Sequence, residues 1–166
     1  MYKMAIMYLM DPEGMLKLLE MVLLSAAIAC ITEYHKDVSL SDLPNWDFDR
    51  AALFYGVFII GLVIVVFLFL NFLFGCAYSK KCGSPRGWTS FVMVFSLIWA
   101  VLCAIASGLF SEVIAKLQKE NWDQSKDERI QWRYQQALAA VILGFISFLT
   151  FLVDAILHYR ITTSTQ

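Results

Sequence analysis

Long apolar stretches separated by short polar ones set the pattern of this chain. Four runs are long enough for the roughly 20 apolar residues a helix needs to cross hydrocarbon: about 15–32, 51–78, 89–111 and 135–159. Asp11-Pro12-Glu13 precedes the first. An acid at the N-cap, a proline at the first helical position and an acid in the first turn together predict a helix start. The second run is almost purely aliphatic and aromatic (GVFIIGLVIVVFLFLNFLFG). Between the third and fourth lies EVIAKLQKENWDQSKDERIQWRYQQ, rich in helix formers and free of Gly and Pro. It predicts that both flanking helices continue beyond the membrane. Trp46, Trp88, Trp122 and Trp132 fall at or beyond span ends, where amphipathic rings anchor at the lipid–water boundary.

Composition sharpens this pattern into a class. Of 166 residues, 60% are hydrophobic and 16% charged. So small a soluble domain cannot bury that much apolar surface, and a disordered chain would be richer in charge. Thirteen basic against fourteen acidic side chains leave no excess for gripping nucleic acid. The expectation is an all-α membrane protein, a four-transmembrane-helix bundle formed by one domain over 1–166. An even number of spans puts both termini on one side. The short loop 79–88 carries Lys80, Lys81 and Arg86 without an acid, so the positive-inside rule places it, and both termini, in the cytoplasm. The total count of Lys and Arg is nearly balanced across the membrane; the density of charge in the short loop carries the assignment. The first run contains Lys17 and Glu20 and lacks a clear cleavage site, so it reads as a signal anchor.

Charge inside an apolar run is costly and has a reason. Glu20 and Asp154 each lie five residues in from a span end, or about 7–8 Å at the helical rise, and both ends face the cytoplasm. Lys17 and His158 stand three and four residues away, on the same helical faces. These four residues predict a polar clamp between spans one and four, with Lys17 snorkelling. A proton or ion relay is the alternative, but it needs a further polar path; span two offers only Asn71, and span three only Ser and Cys.

Small residues recur every four positions at Ser96, Ala100, Ala104 and Gly108, and again at Ala140 and Gly144. Lipid tails are as apolar as Leu, so helices associate where small side chains let backbones approach. This face is expected to pack within the bundle, with a dimerisation face as the alternative. Cys76 and Cys82 flank the basic loop and are palmitoylation candidates, inert reduced thiols being the equal alternative. Their spacing lacks a metal-ligand pattern, and Asp47 and Asp49 suit a solvated face better than a calcium site. No nucleophile–base–orienter grouping or phosphate-binding glycine loop is present. No catalytic residue, metal or cofactor is therefore expected.

The opening DPEGMLKLLEMVLLSAAIACI, with Pro12-Glu13-Gly14 and Leu19-Glu20, resembles the first span of MARVEL-domain four-span proteins. The closing FLVDAILHYR, with Asp154, Tyr159 and Arg160, is similar to the end of their fourth span. That family takes in the myelin and lymphocyte protein, plasmolipin and the chemokine-like factor transmembrane proteins. The short basic middle loop and cytoplasmic termini also match. Two departures are the very short cytoplasmic tails and the long, charged loop before span four. The resemblance implies membrane organisation: vesicle trafficking, membrane apposition, and assembly of junctions or cholesterol-rich microdomains. The implied partners are membrane lipids, other membrane proteins and a second copy of the chain, at the plasma membrane or on vesicles. A junction component acting through its charged outer loops is the competing reading. A pore or auxiliary channel subunit ranks below both, since inverted repeats and broken helices are lacking.

Overall fold

The computed structural model describes residues 12–35, 45–73, 85–119 and 128–164, which form four helices. We label them α1 (Pro12–His35), α2 (Asn45–Leu73), α3 (Pro85–Lys119) and α4 (Glu128–Ser164). Two start on proline, whose missing N–H falls where the helix has no internal acceptor to lose. Glu13 and Glu128 stand in the first turns of α1 and α4, and Lys116 and Lys119 in the last turn of α3, each opposing the local end of the helix dipole.

All four helices are long and apolar enough to cross a membrane. At the helical rise, α3 and α4 (35 and 37 residues) span over 50 Å against a hydrocarbon core of about 30 Å. The predicted continuation beyond the bilayer is therefore present on both sides of residues 120–127. The second span begins at Asn45, six residues before the apolar run itself, and is described to Leu73. Residues 74–78, expected to belong to it, lie outside the described set.

The helices pack in chain order around a ring: α1 with α2, α2 with α3, α3 with α4, and α4 back on α1. The α3–α4 seam is the most extensive and α2–α3 the least. Hydrophobic residues occupy both faces of this arrangement. Leu24, Phe54, Leu68, Phe110 and Phe151 fill the interior, while Val22, Val63, Phe67, Phe91, Val101 and Leu149 point outward. Water would not tolerate that second set; a bilayer does.

The interior is layered. Where α1 ends and α2 begins, Phe54 stacks on Phe58 with ring centroids 4.2 Å apart, and Phe110 meets Phe54 at 5.1 Å and Tyr34 at 6.0 Å. Toward the opposite end Phe95 stacks on Trp99 at 5.1 Å and meets Phe151 edge-on at 6.5 Å. The buried ionisable residues lie at this second end, beside Phe151.

Candidate functional site

Lys17 stands in the second turn of α1, with Glu20 three residues further on the same face. Both are fully buried. The Lys17 ammonium donates to Glu20 Oε2 at 2.8 Å and to Asp154 Oδ2 of α4 at 2.8 Å. It also lies 5.9 Å from the centre of the Phe151 ring, one turn before Asp154. Asp154 Oδ2 accepts a second hydrogen bond from Ser96 Oγ of α3. One carboxylate oxygen therefore ties three helices together.

His158 completes the cluster from the next turn of α4. Its Nδ1 sits 3.0 Å from the backbone carbonyl oxygen of Asp154 and 3.5 Å from Asp154 Oδ1. A carbonyl oxygen only accepts, so Nδ1 carries a proton and Nε2 is the nitrogen whose state is open. Glu20 Oε1, Asp154 Oδ1 and His158 Nε2 are buried and make no hydrogen bond among the described residues. Ionised groups held this deep are tolerated only with partners in good geometry, and Lys17 supplies that to both acids.

The structure thus brings Lys17, Glu20, Asp154 and His158 into one cluster between α1 and α4. It adds Ser96, which sequence reasoning had assigned to the helix-packing stripe. The missed signal was depth, since Ser96 lies only a few residues deeper from its span end than Asp154 does from its own.

The small residues divide. Ser96 and Ala100 are buried, but Ala104 and Gly108 are only half-buried, and a Cβ on Gly108 would meet nothing within 4 Å. Gly108 is therefore not at the packing seam. A four-residue repeat advances 400° per step against a 360° turn, so three steps rotate it about 120° off its starting face. The buried line runs instead through Ala100, Cys103, Ser107 and Phe110. On α4, Ala140 and Gly144 are both buried. A Cβ on Gly144 would stand 2.1 Å from Ser107 Oγ and 3.2 Å from ring carbons of Phe54 and Phe58. Gly61 plays the same part on α2, where a Cβ would lie 2.1 Å from Trp99 Nε1.

Cys76, Cys82, Lys80, Lys81 and Trp122 lie outside the described residues, as do the side chains of Trp46, Asp47 and Arg86. Asp49 is exposed. Among the described residues no group of three or more His, Cys, Asp or Glu side chains is placed to hold a metal ion. At the end opposite the cluster, Arg50 of α2 pairs with Glu112 of α3, a link the sequence did not suggest. Nearby, Glu33, Glu128, Arg129, Trp132 and Arg133 line an open cleft.

Four apolar spanning helices around an interior that confines its charges to one end define an integral, multi-pass membrane protein. Comparison with protein families agrees: the sequence model of the MARVEL membrane-associating domain matches residues 8–157. The chain belongs to the MARVEL family. No curated protein and no solved structure matches it.

Proposed function

We propose that this protein is a non-enzymatic organiser of membranes, acting by lateral contact with lipid and with other membrane proteins in vesicle trafficking, membrane apposition or microdomain assembly. The observation that carries this reading is the outer surface of the bundle. All four helices turn large apolar side chains outward, from Val22 on α1 to Leu149 on α4, while the buried ionisable residues are gathered in one cluster inside. A protein built this way meets its surroundings mainly through lipid and neighbouring helices. Membrane lipids, cholesterol-rich domains included, and further copies of the chain are the proposed partners. Both termini, in this reading, lie in the cytoplasm, where acylation of Cys76 and Cys82 would strengthen the association. In this reading the Lys17–Glu20–Asp154–His158 cluster is a clamp that fixes α1 against α4, since no polar path continues from it through α2.

A junctional role is the second reading. It is favoured by the extension of α3 to Lys119 and the start of α4 at Glu128, and by the cleft around Trp132. These features offer a charged surface outside the bilayer. Imaging a C-terminally tagged copy in polarised epithelial cells separates the two readings. Vesicular or apical signal that ignores replacement of residues 112–133 by a neutral linker supports the first. Lateral-border signal that requires those residues supports the second.

A further inference from the structure

We propose that the assembled α1–α4 seam is a binding site for one proton, shared among Glu20, Asp154 and His158, and that its loss at alkaline pH loosens α1 from α4. The argument is a charge count in a closed space. The cluster holds one ammonium, two carboxylates and one imidazole, all buried. With the imidazole neutral and both acids ionised it carries a net charge of −1. Among the described residues, no cation besides Lys17 is bonded to the two acids or to His158. On α1, Glu13, also an acid, stands in the first turn at this end of the bundle. From α3 come Ser96, a neutral donor already directed at Asp154, and the buried thiol of Cys103, which faces Glu20. Asn71, near the end of α2 on this side, is bonded to the Phe67 carbonyl oxygen at 2.7 Å. On α4, Arg160 stands two residues beyond His158 at the exposed surface. An uncompensated charge held inside a bilayer-spanning bundle is strongly disfavoured.

One added proton brings the sum to zero, and the geometry provides three places for it. His158 Nδ1 is engaged with the Asp154 carbonyl oxygen, so a proton on Nε2 makes the ring an imidazolium 3.5 Å from Asp154 Oδ1. Glu20 Oε1 and Asp154 Oδ1 are the other two, each buried and without a hydrogen bond among the described residues. Interacting groups of this kind titrate as a unit. Separating α1 from α4 removes the demand, because each group then meets its own surroundings. The assembled seam therefore holds one proton more than the separated helices wherever the latter have released theirs. By linkage its stability falls as pH rises, by up to tenfold in the folding constant per pH unit.

The full chain in lipid nanodiscs tests this directly. The sequence has two histidines, so ¹⁵N-histidine NMR with a His35→Asn variant for assignment reads the state of His158. Infrared difference spectra read protonated carboxyls. At about neutral pH we expect either an imidazolium at His158 or a carboxylic acid band that Glu20→Gln or Asp154→Asn removes. A neutral His158 together with two ionised carboxylates overturns the proposal. Thermal unfolding between about pH 7 and 9 gives the second arm. The wild-type chain should lose stability with rising pH, while Glu20→Gln, which leaves one cation against one anion, should be flat. A flat wild type, or a Glu20→Gln variant with the wild-type slope, also overturns it. If that variant does not fold, the spectra of the wild-type chain decide.

Discussion

Lys17 and Asp154, 137 residues apart, meet at 2.8 Å with both side chains withdrawn from the surface. The pair closes the ring of four helices, since α1 and α4 are the first and last of the described helices and do not follow one another along the chain. The chain runs directly from α1 to α2, from α2 to α3 and from α3 to α4. Across the fourth contact, side-chain packing and polar contacts that include this ion pair hold α1 to α4. In lipid, apolar packing discriminates weakly between one apolar neighbour and another. A buried ion pair is then well suited to fixing which helix faces which, and in what register.

Removing the cation should expose this. Lys17→Met leaves Glu20 and Asp154 buried together without the ammonium that bridges them, and breaking a buried pair in this way costs about 3–5 kcal/mol. We expect a large drop in thermal stability in detergent micelles and retention of the protein in the early secretory pathway. Replacing Lys17, Glu20 and Asp154 together by Met, Leu and Leu should restore much of the loss, since no charge is then stranded. A Lys17→Met chain as stable as wild type would show that the pair does not hold the seam.

Ser96 should matter less than Lys17 but more than an ordinary serine in a spanning helix. Hydrogen bonds between membrane helices average about 0.6 kcal/mol, and bonds to charged groups about 1.5–3 kcal/mol. Ser96→Ala is therefore expected to cost about 1–2 kcal/mol, with Ser96→Thr recovering part of it through the retained hydroxyl. Unfolding of the three chains side by side provides the check.

At the other end the prediction is one of weakness. Arg50 and Glu112 form an ion pair, but the Glu112 side chain is 58% exposed. Exposed pairs contribute about 0–1 kcal/mol and fade with salt. Arg50→Ala should shift stability by no more than that, and by still less at high ionic strength, as unfolding at two salt concentrations would reveal.

Much of this architecture was legible in the chain because membranes simplify the code. Twenty apolar residues in a row admit few structures, so the four spans and the Pro12 start followed directly. The clamp partners were legible because a charge in such a run is conspicuous and spacings of three and four fix which neighbour shares its face. What sequence could not show was the azimuth of each helix. Where both core and lipid are apolar, hydrophobic pattern no longer marks the inward face. The four-residue stripe from Ser96 to Gly108 therefore pointed to a seam that in fact turns away toward Cys103 and Ser107. The same blindness hid Ser96 as a ligand of Asp154 and Arg50 as a partner of Glu112, both contacts between distant segments.

The azimuth can be tested with two glycines that sequence reasoning treated alike. At Gly144 a Cβ would enter space held by Ser107 Oγ at 2.1 Å and by Phe54 and Phe58 at 3.2 Å. The serine hydroxyl can rotate aside, but the two rings are stacked on each other 4.2 Å apart and have little freedom to withdraw. Overpacking of this kind costs about 1–3 kcal/mol, so Gly144→Ala should destabilise, and Gly144→Val more strongly. At Gly108 a Cβ would meet nothing within 4 Å, while alanine is the better helix former by about 1 kcal/mol. Gly108→Ala should therefore be neutral or stabilising. Paired melting curves of the two alanine variants decide the matter, and equal destabilisation at both sites would return Gly108 to the seam. Joining Ser107→Ala to Gly144→Ala should recover only part of the loss, because the phenyl rings remain in the way.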